Sequence, residues 1–406
     1  MKYQLIGNAI YGQSGGPTSV INSSAYGLIK EVKKHKTIIK NFYAMHFGIE
    51  GLLKEEIIDL AKYNEAELKK LLTTPGAAFG SNRFKLSDPI SDKDKYERIL
   101  EIFKKYNIRY FFYNGGNDSM DTIRKITNYL KSQNYEINSI GIPKTIDNDL
   151  VFNDHTPGYP SAAKFIANAV SEVYFDDASY LNGRVNIVEI MGRNTGWLTA
   201  CSYLAKLNGA KVDYIYVPET PFNTEDFLNS IKATYSKNKH CLVCVSEGIR
   251  DEHGNLIANM SSQIDSFGHK QLGGVAVYLS KLVEETFGYK TRYIELSLLQ
   301  RANSILSSEV DVKEAIKVGE IACRKALKGE SNKMVTIKRI SSDPYKVKYD
   351  LIDIGLIANK EKYLPLTYLN RHRNNIKSNF LSYAMPLITN KSSKNEENGL
   401  FLSFKL

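Results

Sequence analysis

Two short stretches gather residues able to do chemistry on a phosphate. The first, Asn114-Gly115-Gly116-Asn117-Asp118-Ser119, sets two glycines ahead of amide, carboxylate and hydroxyl side chains. About twenty-five residues later, Pro143-Lys144-Thr145-Ile146-Asp147-Asn148-Asp149 puts a lysine and two carboxylates into one turn. A glycine turn ahead of a helix leaves backbone N–H groups free to cradle an anion. A lysine can neutralise charge on a moving phosphoryl group. A carboxylate in hydrogen-bond reach can take the proton of an attacking alcohol. Together the stretches read as a phosphate cradle and a catalytic loop.

These residues need elements to position them. The first stretch follows an aromatic run at residues 109–113, read as a buried strand, and precedes apolar residues at helical spacing over 120–130. The second follows a short apolar strand at 137–142, and its proline and Asn-Asp pair keep it from becoming helix. A similar unit opens the chain, where residues 2–10 feed Gly12-Gln13-Ser14-Gly15-Gly16 and then a helix carrying Val20, Ile21, Ala25, Leu28, Ile29 and Val32. A third runs from a strand at 184–190 through Met191-Gly192-Arg193 into a helix expected to continue through Leu207. A helix is expected over 161–174, and strand ends over 212–218, 240–247 and 289–296, the last followed by Gln300-Arg301. Repeated alternation of strand and helix argues for an α/β protein. The expected architecture is two doubly wound Rossmann-like lobes with the active site in the cleft between them.

Composition narrows the classes. The chain has 406 residues, 43% of them apolar and 24% charged, enough for two or three domain-sized units of a soluble protein. The formal charge of +10 is spread over scattered lysines with only short clusters such as Lys33-Lys34 and Lys104-Lys105, so no nucleic-acid partner is expected. No apolar run approaches the roughly 18 residues of a membrane span, and the N-terminus lacks a signal-peptide pattern, which points to the cytoplasm and no membrane partner. Four cysteines are too few for a disulfide scaffold. Strand geometry would turn Cys241 and Cys244 of the lone C-x-x-C to opposite faces, as buried core thiols. The small-residue stretch 73–84 reads as a surface loop whose Arg83 either reaches a phosphate or faces water. The polar tail 389–398 reads as a loose surface connection.

In their order along the chain, Gly15-Gly16, Gly115-Gly116-Asn117-Asp118-Ser119, Pro143 through Asp149, Met191-Gly192-Arg193, Ser246-Glu247-Gly248 and Gln300-Arg301 resemble the phosphofructokinases, and within them the pyrophosphate-dependent branch. The Thr-Ile-Asp-Asn-Asp block is the most specific of these. The resemblance implies Mg²⁺-assisted phosphoryl transfer from pyrophosphate to the 1-hydroxyl of fructose 6-phosphate. By it, Asp147 is the base, with Thr145 beside it and Asp149 helping to hold the loop. Lys144 and Arg83 are suited to the moving charge, and Gly15, Gly16, Ser119 and Lys144 are expected on pyrophosphate. Met191, Gly192, Arg193, Glu247 and Arg301 would bind the sugar phosphate. Arg184 and Arg292 match arginines that reach it from a neighbouring subunit, implying a homo-oligomer with shared active sites. The lobes expected on this basis are 1–160 with about 300–360 for the donor, and 161–299 with about 361–406 for the sugar phosphate.

Donor choice rests on two positions. ATP-dependent relatives generally carry glycine where this chain has Asp118 and Lys144. A carboxylate near the α-phosphate of ATP is repelled by up to about 4 kcal/mol at 4 Å and an effective dielectric of 20, more than the roughly 1 to 3 kcal/mol of a pocket methylene. The plain alternative makes Lys144 a solvated turn lysine and Asp118 a helix N-cap. Two departures stand out: Asn117 replaces the family's usual metal-binding aspartate, and Leu298 stands where many relatives place a polar ring. The first leaves Asn117 as a candidate metal ligand, and the second makes sedoheptulose 7-phosphate an acceptor to test. Rival readings are an ATP-dependent phosphofructokinase and a catalytically silent sugar-phosphate-binding regulatory subunit.

Overall fold

The computed structural model describes residues 4–258, 274–358 and 360–389, with the backbone of 263–264, 270–271, 396–397 and 400–401. The expected loose tail therefore lies largely outside the described residues. By its internal contacts the chain divides into one unit of Met1–Ile146, Leu150–Tyr159 and Arg301–Glu361, and another of Asp147–Asp149, Pro160–Gln300 and Lys362–Leu406.

The first unit is built on a seven-stranded sheet. Its order is Tyr345–Asp353, Lys333–Ser342, Asn138–Pro143, Ile108–Gly115, Gly7–Gln13, Ile39–Met45 and Ile57–Asp59. The five inner strands pair in parallel, and both edge strands are antiparallel. The aromatic run fixes the centre, because successive side chains of a strand point to opposite faces. Tyr110 and Phe112 enter one buried cluster with Ala9, Tyr11, Ile140 and Ile142. Phe111 and Tyr113 enter another with Ile10, Ile123 and Ile126. A strand apolar on both faces belongs in a sheet covered on both sides. On the first face the Ile21–Val32 and Glu309–Leu327 helices cross closely, since a Cβ on Gly27 would lie 2.0 Å from the Ile316 carbonyl oxygen.

The second unit holds a four-stranded parallel sheet ordered Thr291–Glu295, Val185–Ile190, Cys241–Ser246 and Tyr214–Tyr216. Cys241 and Val243 share a core cluster with Val185, Ile187, Phe227 and Leu279. Cys201, Cys241, Cys244 and Cys323 are all buried, with no disulfide joining them, and burial pushes the Cys244 thiol up to about 12. The helix expected through Leu207 is shorter: regular α-helix covers only Trp197–Ala200, and a 3₁₀ segment then runs over Cys201–Asn208 until Gly209 turns left-handed. No described helix is long and apolar enough to cross a membrane.

Candidate active site

In the first unit, parallel neighbours deliver two glycine turns side by side. The Gly7–Gln13 strand runs in register with Ile108–Gly115, Gln13 opposite Asn114, so both chains leave the sheet at the same end. The Ser14 amide donates to the Asn114 carbonyl at 2.9 Å, and Ser119 Oγ, buried, donates to Ser14 Oγ at 2.9 Å. Gly115 leaves the room Ser119 uses, because a Cβ there would fall 2.0 Å from its Oγ. The next strand brings Lys144, whose amide donates to the Gly115 carbonyl at 3.0 Å.

Lys144 is not the solvated turn lysine of the plain alternative. It is 3% exposed, and its Nζ donates to the Gly16 carbonyl at 2.7 Å. Asp118 is likewise not the N-cap, which is Gly116 without a side-chain cap bond; Asp118 lies exposed in the first turn of the Asn117–Ser132 helix. The positive end of the helix dipole suits a carboxylate there.

Two arginines complete this cluster. A Cβ placed on Gly16 would lie 2.6 Å from Arg301 Nη1 and 3.7 Å from Arg83 Nη2, and one on Gly15, at φ +77°, would lie 3.4 Å from Lys144 Nζ. The turn at Gly15 is pinned from the Arg83 loop, with its amide donating to the Asn82 carbonyl at 3.0 Å and its carbonyl accepting from Ser81 Oγ at 2.6 Å. Two bare glycines ringed by Lys144, Arg83 and Arg301 form a surface fit for a compact polyanion. Arg301, expected on the sugar phosphate, stands beside Gly16 and Arg83 in this unit.

The second unit contains the turn with the two carboxylates. Asn148 is fully buried at φ 57°, a left-handed conformation that asparagine adopts more readily than most residues. Thr195 Oγ1 donates to the Asp147 carbonyl at 3.0 Å, Asn148 Nδ2 donates to Tyr383 Oη at 2.8 Å, and the Lys362 amide donates to the Asp149 carbonyl at 2.7 Å. Thr195, Lys362 and Tyr383 escaped the sequence reading. Asn148 between two aspartates signals a left-handed turn, whereas its distant holders leave no local mark.

Around the end of the Val185–Ile190 strand, Met191, Gly192, Arg193 and Glu247 come together. The Gly192 amide points at Glu247 Oε1 at 3.4 Å, the Met191 amide donates to Gln300 Oε1 at 3.1 Å, and the Gly192 carbonyl accepts from Ser246 Oγ at 2.5 Å. Gly192 has φ +139°, and a Cβ there would meet the Thr195 carbonyl oxygen at 2.5 Å. Arg193 is exposed beyond this turn. Arg184 and Arg292 are not brought to this group. Arg184 precedes the same strand, its Nε 3.6 Å from Asp177 Oδ1, and Arg292 is exposed in register with Asn186. Most of a six-residue strand, about 3.3 Å per residue, separates them from Met191.

Among the described residues, no three His, Cys, Asp or Glu side chains converge to cage a metal. Asn117 Nδ2 donates to the Lys360 carbonyl at 2.7 Å, which fixes one end of its amide. Magnesium carried by phosphate oxygens and water asks the protein for only one or two oxygens. The amide of Asn117 and the neighbouring carboxylate of Asp118 are donors of that kind.

The profile of the phosphofructokinase family matches residues 8–324. The chain is 39% identical over 396 residues to a pyrophosphate–fructose 6-phosphate 1-phosphotransferase of Halomonas elongata, covering 97% of this chain and 94% of that one. With the protein of the same name from Xanthomonas campestris pv. campestris it shares 40% over 385 residues, 94% of this chain and 91% of that one. The crystal structure of a pyrophosphate-dependent phosphofructokinase from Marinobacter aquaeolei superposes with a TM-score of 0.85 at 36% identity, covering 99% and 98% of the two chains. The chain belongs to the phosphofructokinase family.

Proposed function

We propose that this protein transfers a phosphoryl group reversibly from pyrophosphate to the 1-hydroxyl of fructose 6-phosphate, giving fructose 1,6-bisphosphate and phosphate. The observation that carries the donor assignment is Lys144. It is buried with its ammonium on the Gly16 carbonyl, at a position where the family resemblance implies glycine in ATP-dependent members. The names of the Halomonas and Xanthomonas relatives support the same reading.

Gly15, Gly16, Ser119 and Lys144 hold pyrophosphate, and Arg83 meets the phosphoryl group in flight. Asp147 takes the proton of the 1-hydroxyl as that oxygen bonds to phosphorus, and the bridging P–O bond breaks to release phosphate, whose charge Lys144 neutralises. Thr145 stands beside the base and Asp149 helps to hold the loop. Met191, Gly192, Arg193, Glu247 and Arg301 bind the sugar phosphate. Asn117 and Asp118 would offer the protein oxygens for Mg²⁺, which would supply charge neutralisation on the phosphates when bound. Asp118 repels the α-phosphate of ATP and so acts with Lys144 in choosing the donor.

Arg184 and Arg292, at the far end of their strands from Met191, serve the site of a neighbouring copy in a cytoplasmic homo-oligomer. Leu298, 55% exposed, leaves sedoheptulose 7-phosphate as a second acceptor. The reaction is tested in reverse: fructose 1,6-bisphosphate with inorganic phosphate yields fructose 6-phosphate and pyrophosphate. Product that forms only with ADP would overturn the donor assignment.

A further inference from the structure

We infer that Lys362 is a positioning residue that holds the Asp147–Asp149 turn through Asn148. The inference rests on the reading of Asp147 as the base and adds what keeps that base in place.

Lys362 reaches the turn twice. Its amide donates to the Asp149 carbonyl at 2.7 Å, and its Nζ donates to Asn148 Oδ1 at 3.2 Å. The other end of the same amide, Nδ2, is taken by Tyr383 Oη at 2.8 Å. A buried asparagine in a left-handed conformation is thereby gripped at both ends of its side chain, which fixes the peptide planes on either side of it. Asp147 immediately precedes it, and the Asp147 carbonyl is held from the other side by Thr195 Oγ1 at 3.0 Å.

The clamp is itself braced. Trp197 Nε1 donates to the Lys362 carbonyl at 2.9 Å, and Lys362 Nζ lies 4.9 Å from the centre of the Trp197 ring. Trp197 also packs on Tyr383 with ring centres 5.2 Å apart. Glu219 Oε1 accepts from the Gly196 amide at 2.8 Å and the Leu364 amide at 2.9 Å. One carboxylate thus ties the segment carrying Thr195 to the segment carrying Lys362. Phosphoryl transfer depends on alignment, and a base displaced by an ångström loses much of its effect. The geometry assigns the last part of this alignment to a lysine more than two hundred residues along the chain from the turn.

The test compares Lys362→Met, Lys362→Arg, Asn148→Gly and the Lys362→Met/Asn148→Gly double variant with the wild-type protein. Glycine keeps the left-handed backbone and removes the amide. Lys362→Met is expected to lower kcat at least tenfold with KM for both substrates within twofold, and Lys362→Arg to restore kcat to within about threefold. In the Asn148→Gly background Lys362→Met should cost less than a further twofold, because the two act as one unit. An unchanged kcat in Lys362→Met, a loss confined to KM, or multiplying effects in the double variant would each overturn the assignment. Trp197 is the one tryptophan in the chain, so its fluorescence gives a readout independent of activity. Lys362→Met should raise acrylamide quenching of Trp197 at least twofold, and unchanged quenching would also overturn the clamp. Failure of the wild-type protein with pyrophosphate would count against the reaction, and the Trp197 signal would still judge the clamp.

Discussion

Replacing Gly16 by alanine separates the cation cluster from the stability of the fold. The added Cβ would lie 2.6 Å from Arg301 Nη1, against an ordinary contact of about 3.5 Å, so the guanidinium must withdraw by roughly 0.9 Å. Gly16 is not among the residues at positive φ, so alanine fits its backbone, and a compatible glycine-to-alanine change gains about 0.4 to 1 kcal/mol from the unfolded state. The atom displaced is the far end of a flexible side chain, so Tm should stay within a few degrees. Activity should not be spared, since a misplacement of about 1 Å at a charged positioning group costs on the order of 100-fold, or roughly 2.7 kcal/mol of transition-state stabilisation. Steady-state kinetics with each substrate varied in turn, beside a thermal melt, reads both effects. We expect kcat/KM to fall about 100-fold for pyrophosphate and for fructose 6-phosphate, because Gly16 and Arg301 are assigned to the two ligands. A kcat/KM within threefold of wild type would refute the role of the cluster, and a collapse of Tm would refute the claim that Arg301 yields.

Asp147→Ala should lower kcat by about 10²- to 10⁴-fold while fructose 6-phosphate binding, followed by calorimetry, survives; retained turnover would mean another base. His155 is fully buried between Asp154 Oδ2 at 2.8 Å and Glu314 Oε2 at 2.5 Å, with Tyr345 Oη on Glu314 and Arg339 on Asp154. Burial alone would push the imidazolium down, but the carboxylates of Glu314 and Asp154 outweigh it and raise the pKa from 6.5 to about 9. A histidine whose pKa rises on folding stabilises the fold fully below about pH 6.5, and that contribution fades as pH climbs through about 9. Urea melts should therefore show a loss of up to roughly 3 kcal/mol across that window, absent in His155→Gln. A flat or rising stability over the window would contradict the assignment.

The strands and glycine turns were legible because their signals are local. The aromatic run at 109–113 could only be a covered strand, and glycines after it marked the turn. The antiparallel edge hairpin of Lys333–Ser342 and Tyr345–Asp353 was missed, since its pairing depends on which sheet edge stays open. The helix after Gly196 fell short for a similar reason: its apolar spacing is helical, yet the fold tightens it to 3₁₀ before Gly209. The glycine turns and the turn from Lys144 to Asp149 were legible as motifs, but their surroundings were not. Lys144 in a turn reads as exposed until the Gly16 carbonyl, 128 residues away, buries it. The grip of Thr195, Tyr383 and Lys362 on the Asp147–Asp149 turn joins segments far apart in the chain, which no window of sequence displays.

One coupled assay distinguishes the phosphoryl donors directly. With purified protein, fructose 6-phosphate and Mg²⁺, formation of fructose 1,6-bisphosphate should be rapid with pyrophosphate and at background with ATP. Turnover with ATP and none with pyrophosphate would contradict the roles given to Asp118 and Lys144.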